Sequence, residues 1–206
     1  MDLTERQNEA LTELINIGYG RAAAALSELT GRRIALEVPK VAVHPIQRVR
    51  EALGEVLQGE VASVHQVFSG PVSGNALLLL DQDAAVLLNS LLLNSPLHAG
   101  RLRAAEREAL TEVGNIVLNA CLGVFGNLLQ VQVTFAVPRL DVESVEGVLQ
   151  SISVRSQELQ YALMVHTRFS VRDSDIQGYL VIILGITSFS RLLQELDKWE
   201  KRQLQC

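Results

Sequence analysis

Two stretches of sequence decide the fold: residues 9–16 read EALTELIN, and residues 108–115 read EALTEVGN. Their first five residues are identical, and the separation of 99 positions extends to a proline in each copy, Pro39 and Pro138. A constant offset over this distance indicates an internal duplication, which dictates architecture. We therefore expect residues 1–206 to form one domain of two repeats, 1–93 and 101–199, joined by a loop at 94–100.

Each repeat begins with a long amphipathic helix. The first is predicted from Thr4 to Leu29, with capping-box spacing at Thr4 and Gln7 and with Gly31 after its last turn. The second is predicted from about Arg103 to Leu128. Apolar residues of the first helix recur at intervals of three and four, and this spacing predicts one buried face. The residues of this face are Leu11, Leu14, Ile15, Gly18, Ala22, Ala25, Leu26 and Leu29. Its opposite face carries Glu9, Glu13, Asn16 and Gly20.

Strands and shorter helices follow each long helix in the same order. Alternating or β-branched runs predict strands, and proline is expected to end a strand because it cannot donate to the ladder. The predicted strands are 34–38, 60–68, 75–80, 131–137, 158–169 and 178–184; the predicted helices are 47–57, 81–93, 142–151 and 188–199; residues 170–177 are expected to be a loop. Gly74 matches Gly178 at an offset of 104. This order predicts an α+β, pseudo-twofold fold in which two long helices pack on antiparallel sheet.

The composition excludes several classes of function. The net charge is −5 and the basic residues are scattered, which argues against a nucleic-acid partner. The apolar runs are short and the first residues do not resemble a signal peptide, so we expect a cytoplasmic protein without a membrane partner. Two cysteines are too few for a disulfide framework, and the four histidines have no second ligand at zinc-like spacing, so no metal site is expected.

Glu13 and Asn16 are the first candidates for chemistry. A spacing of three places their side chains next to each other on a helix, with Cβ atoms about 5–6 Å apart. Glu9 lies one turn earlier on the same stripe. A solvated face near a helix N-terminus is the simplest interpretation, because the helix dipole favours acids there. However, Asn is a poor helix former compared with Gln, Glu or Lys, and its recurrence with Glu in both repeats favours recognition from outside.

At these residues the sequence resembles the CheC family of chemotaxis phosphatases, which includes CheX and the phosphatase part of FliY. The family signature is an Asp or Ser, three residues, Glu, two residues, Asn, a gap of just over twenty residues, and Pro. Two copies match it, one at Glu13, Asn16 and Pro39 and one at Glu112, Asn115 and Pro138. This chain has Glu9 and Glu108 where the family usually has Asp or Ser. The resemblance covers nearly the whole chain and is strongest to stand-alone CheC.

The resemblance implies a CheC-like fold and hydrolysis of the phospho-aspartate of a CheY-like response regulator. Asn16 and Asn115 would orient the attacking water, and Glu13 and Glu112 would pair with the active-site lysine of the receiver. The chain would need no cofactor of its own, because the receiver supplies the divalent cation.

Contacts with the receiver are expected at Glu9, Glu108 and the backbone of Gly20. The resemblance leaves an alternative open, in which the chain is a non-catalytic or weakly catalytic adaptor that binds a receiver, the CheD deamidase, or both.

Overall fold

The structure is a computed structural model, and it describes residues 3–94, 96, 101–130, 132–153, 159–171 and 174–203. Along these residues the helices and strands follow one another in the order expected from the sequence, except that two strands, β4 and β5, stand where one was expected. The elements are α1 (Glu5–Thr30), β1 (Ile34–Pro45), α2 (Ile46–Gly54), β2 (Glu60–Ser69), β3 (Gly74–Asp81), α3 (Gln82–Leu93), α4 (Ala104–Leu129), β4 (Thr134–Phe135), β5 (Arg139–Ser144), α5 (Val145–Ser153), β6 (Leu159–Val171), β7 (Ser174–Gly185) and α6 (Ile186–Gln203).

All the strands join one antiparallel sheet in the order β1-β6-β7-β3-β2-β4, and β5 also pairs with β2. β1 of the first half therefore pairs with β6 of the second half, and β4 and β5 of the second half pair with β2 of the first half. β3 and β7 meet in the middle. The α+β class and the antiparallel sheet are as predicted, while the duplication itself stays an interpretation of the sequence.

Two glycines permit the close approach of β3 and β7. A Cβ at Gly74 would lie 2.2 Å from the Ile183 carbonyl oxygen, and a Cβ at Gly178 would lie 2.9 Å from the Leu79 carbonyl oxygen. The offset of 104 that relates the two glycines also relates Leu79 to Ile183. The two positions are therefore equivalent in their packing, and a side chain at either would push the central strands apart.

The sheet is covered on both faces, which explains why its central strands are apolar without interruption. On β3, Leu78 and Leu80 belong to a core shared with α1, α3, α4 and α6, while Leu77 and Leu79 belong to a second core shared with α2 and α5. Successive side chains of a strand point to opposite faces. The two long helices thus lie side by side on one face of the sheet.

The ends of α1 confirm the predicted caps. The backbone N–H of Gln7 donates to Thr4 Oγ1 at 3.2 Å, and the Thr4 N–H donates to Gln7 Oε1 at 3.0 Å. Gly31 follows the last turn with φ of 64°, a conformation that favours glycine. These caps fix where the first long helix starts and stops.

Three boundary predictions were wrong. β1 does not end at Pro39 but continues to Pro45 through an irregularity between Glu37 and Lys40. This is allowed because β1 is the last strand in the pairing order, so one side of it needs no donor. In the second half, residues 142–144 extend a strand rather than begin a helix, and of the expected strand at 131–137, whose first residue lies outside the described part, only Thr134–Phe135 form a strand.

Most of the predicted loop at 170–177 also belongs to strands. β6 and β7 pair as far as Val171 and Ser174, so the hairpin is longer than its sequence suggests. Most of the predicted 94–100 connector lies outside the described residues. Within them, Asn94 ends α3 with φ of 52°.

Among the described helices, α4 alone is long and apolar enough, over Ala104–Asn127, to cross a membrane by length and composition. Core helices of soluble proteins pass the same test. Several of its apolar residues are buried in the core shared with α1 and the sheet, including Val117, Leu118 and Cys121. The apolar character of α4 is therefore accounted for by packing inside the fold.

Candidate functional site

The polar stripe of α1 faces solvent, as predicted. Glu9, Glu13, Asn16 and Gly20 are all exposed, while the opposite face is buried against α4 and the sheet. Within the described part of the chain, the side chains of Glu13 and Asn16 have no hydrogen-bond or ion-pair partner. Two carboxylates and one carboxamide are thus presented to whatever contacts this helix from outside.

On α4 the polar stripe consists of Glu108, Glu112 and Asn115, the same residue types as on α1, and it differs in the burial of its asparagine. Glu108 and Glu112 are exposed, but Asn115 is half-buried. The carboxamide of Asn119, one turn further along, donates from Nδ2 to Asn115 Oδ1 at 2.7 Å. At the offset of 99, the counterpart of Asn119 in the first repeat is Gly20, which has no side chain. Asn16 therefore lacks this partner. Asn119 was missed from the sequence, although applying the repeat offset to Gly20 would have pointed to it.

The backbone around both glutamates is held in the same way. Thr12 Oγ1 donates to the Asn8 carbonyl oxygen, and Thr111 Oγ1 donates to the Arg107 carbonyl oxygen, both at 2.7 Å. Such bonds to the preceding turn bend a helix slightly. The two stripes therefore share local helix geometry as well as residue types.

Two glycines allow close packing of the long helices, Gly18 where α1 contacts α4 and Gly114 where α4 contacts β2. A Cβ at Gly18 would lie 3.0 Å from the Cys121 Cα, so α1 and α4 cross with almost no space between their backbones. A Cβ at Gly114 would lie 2.4 Å from Val64 Cγ1, so α4 lies directly on β2. These contacts fix the position of both stripes, because each helix is seated on a backbone or a stiff β-branched side chain.

The groups beneath the stripes are kept neutral by burial. Desolvation raises the pKa of Tyr19 well above its usual value, the neighbouring Cys121 raises it further, and the hydrogen bond with Thr167 partly opposes the rise. Burial also raises the pKa of the Cys121 thiol. Cys121 thus behaves as the packed small residue predicted from the sequence, and the chemistry available to the site lies on the exposed stripes.

The arrangement suits recognition and positioning more than chemistry by the chain alone. Exposed carboxylates attract a cationic side chain, and a carboxamide offers one acceptor and two donor hydrogens. No group of three or more histidine, cysteine or acidic residues positioned for a metal ion occurs among the residues that the structure describes. Gly20 is open, since an added Cβ would meet nothing within 4 Å.

Ile17 belongs to the same surface and was not singled out from the sequence. It lies next to Asn16 and is 37% exposed, whereas its counterpart Ile116 is half-buried against the core. The prolines of the signature do not lie on the helices. Pro39 is within β1, and Pro138 lies between β4 and β5. Neither proline therefore belongs to the polar stripes of the helices.

Comparison with known proteins supports this view of the fold. No protein-family model matches the chain. The CheY-P phosphatase CheC of Bacillus subtilis is 24% identical over 200 residues, which cover 94% of this chain and 95% of that protein. The crystal structure of FliY from Thermotoga maritima superimposes with a TM-score of 0.77 at 18% identity and covers 96% of this chain.

The same fold occurs in the FliM middle domain from H. pylori, with a TM-score of 0.68, 11% identity and 94% of this chain covered. Likeness of fold alone therefore does not assign an activity. The chain is thus similar to the CheC protein along nearly its whole sequence, and it shares its fold with FliY.

Proposed function

We propose that the protein is a phosphatase that hydrolyses the phospho-aspartate of a CheY-like response regulator in the cytoplasm. The observation that carries this proposal is the pair of solvent-facing stripes, with Glu13 and Asn16 on α1 and Glu112 and Asn115 on α4, at a common offset of 99. Solvated helix surfaces accept many residue types, so two matching pairs favour a shared partner. The name of the CheC relative, CheY-P phosphatase, supports the same choice of substrate.

The proposed step is attack of water on the phosphoryl group. The water oxygen forms a bond to phosphorus as the bond from phosphorus to the aspartyl oxygen breaks. The aspartate is the leaving group and departs as a carboxylate. A proton of the attacking water passes to the phosphate that is formed or to solvent. Such transfers depend mainly on alignment of the nucleophile and on stabilisation of charge. Asn16 or Asn115 would hold the water in line through its carboxamide.

Glu13 and Glu112 would anchor the receiver. A receiver's active-site lysine would pair with one of these carboxylates, which lie next to the asparagine on the helix. An exposed ion pair contributes only about 0–1 kcal/mol, so its main effect is to orient the partner, and it strengthens as docking excludes water. The divalent cation would be supplied by the receiver.

The experiment compares wild type with Asn16→Ala/Asn115→Ala. Phosphate release is measured from the CheY protein of B. subtilis, phosphorylated with acetyl phosphate in the presence of magnesium. We expect the double variant to return the rate to that of the receiver alone. Asn8→Ala/Asn127→Ala is the matched control, because these exposed asparagines lie on the same two helices outside the stripes. A double stripe variant that keeps the wild-type rate would refute the proposal.

An adaptor is the second candidate. Glu9 and Glu108 stand where the signature has the shorter Asp or Ser, so each stripe carries this carboxylate at the end of a longer side chain. A chain that binds the phosphorylated receiver, or a CheD-type deamidase, without accelerating phosphate release would have this function. Binding measured by fluorescence anisotropy beside the rate separates the two, because the proposed phosphatase shows both and the adaptor shows binding alone.

A further inference from the structure

The second stripe contains a hydrogen bond that the first stripe lacks. Asn119 donates from Nδ2 to Asn115 Oδ1 at 2.7 Å across one turn of α4. At the matching place on α1 stands Gly20, which has no side chain, and Asn16 has no side-chain partner in the described part of the chain. The two proposed water-orienting carboxamides therefore differ in how firmly they are held.

Protein stability does not explain the choice of Asn119. Asparagine forms helices less well than alanine, so alanine would suit this position better if only the helix mattered. The Asn119 Oδ1 is also buried with no hydrogen-bond partner among the described residues, which opposes folding. Asn119 thus makes two unfavourable contributions to folding, and its stabilising side-chain hydrogen bond goes directly to Asn115, which suggests a role at the site.

We propose that Asn119 is a positioning residue that fixes the carboxamide of Asn115 for attack by water; this rests on the proposed phosphatase function. A carbonyl oxygen has two lone pairs, so Oδ1 retains one acceptor site after Asn119 has donated, and both hydrogens of Nδ2 remain. The bond restricts rotation of the carboxamide before the receiver binds. The carboxamide therefore loses part of its conformational entropy already in the free protein, and less is lost when the reacting groups are aligned.

The first test isolates the second site in an Asn16→Ala background. Asn119→Ala and Asn119→Gly both remove the donor but change helix stability in opposite directions. We expect both to lower kcat by about two- to tenfold, the factor that a hydrogen bond of this class represents, with KM unchanged. Asn119→Asp, which cannot donate, is expected to lower kcat at least as much. An unchanged kcat in both the Ala and Gly variants would overturn the proposal.

The second test transfers the donor to the first site in an Asn115→Ala background. Gly20→Asn is feasible because an added Cβ there meets nothing within 4 Å, and Gly20→Ala is its control for the added bulk and helix propensity. We expect Gly20→Asn to raise kcat about two- to tenfold above Gly20→Ala. A kcat equal to that of Gly20→Ala would contradict the positioning role of this hydrogen bond.

The two proposals fail in different ways. If wild type does not accelerate phosphate release, the proposed function fails first. If wild type is active and Asn16→Ala/Asn115→Ala is not, the function stands, and equal kcat values with and without Asn119 would reject the positioning role alone. A rise in kcat on removing Asn119 would also reject it, because the bond would then be masking Asn115.

Discussion

Gly114 lies directly before Asn115 on the face of α4 that packs against β2, and its replacement by alanine is expected to destabilise the protein. An added Cβ would lie 2.4 Å from Cγ1 and 2.5 Å from Cβ of Val64. Ordinary contacts between carbon atoms are about 3.5–4.0 Å, so α4 must move by about 1 Å. Rotation of the Val64 side chain does not relieve a clash with its Cβ.

The magnitude follows from two opposing effects. Overpacking costs about 1–3 kcal/mol, and the clash with a Cβ places Gly114→Ala at the upper end. The greater helix propensity of alanine returns about 1 kcal/mol. We therefore expect the free energy of unfolding to fall by about 2 kcal/mol, which for a chain of this size lowers Tm by about 4–8 °C.

Gly123→Ala on the same helix is the matched control. A Cβ at Gly123 would meet nothing within 4 Å, so only the helix propensity changes and the free energy of unfolding should rise by about 0.5–1 kcal/mol. Both variants are measured by urea unfolding followed by circular dichroism. A Gly114→Ala protein as stable as wild type, or one that gains stability together with Gly123→Ala, would refute the packing argument.

Two further predictions concern α1. Thr4→Ala removes the side-chain cap on the Gln7 N–H and should lower the free energy of unfolding by about 1 kcal/mol, measured by urea unfolding; an unchanged midpoint would contradict the cap. Burial raises the pKa of Tyr19 above its unfolded value, so the stability that its neutral form contributes is present below about pH 10 and is lost as the pH rises through the folded value. The alkaline loss of stability should therefore be shallower in Tyr19→Phe, and equal slopes above pH 10 would contradict this origin.

The candidate site was largely readable from the sequence because its signal is local. The exposed stripe depends on the helical period, and the period repeats over a few residues. Glu9, Glu13 and Asn16 lie where the pattern placed them. The partner of Asn115 is also local, since Asn119 is four residues away, but it was overlooked because the repeat at that place has glycine.

Which residues of α1 are buried was less predictable from the sequence than which residues share a face. Ala25 and Leu29 continue the apolar stripe by spacing, yet Ala25 is exposed and Leu29 is 61% exposed. Tyr19 falls outside the predicted stripe and is fully buried beside Thr167. A period tells which residues share a face, whereas burial depends on how far the neighbouring elements extend.

The sequence by itself determined the two long helices, the caps of the first one, the polar stripes with their glutamates and asparagines, and the α+β order of elements. Only the tertiary structure decided that one antiparallel sheet joins the halves, that the strand holding Pro39 continues along an edge, and that Gly18 and Gly114 are packed while Gly20 and Gly123 are open. The physical reason is the separation along the sequence between the residues that interact. Periodicity and caps are set within a few residues, but the atoms that meet a glycine or complete a sheet come from segments roughly 50 to 140 positions away.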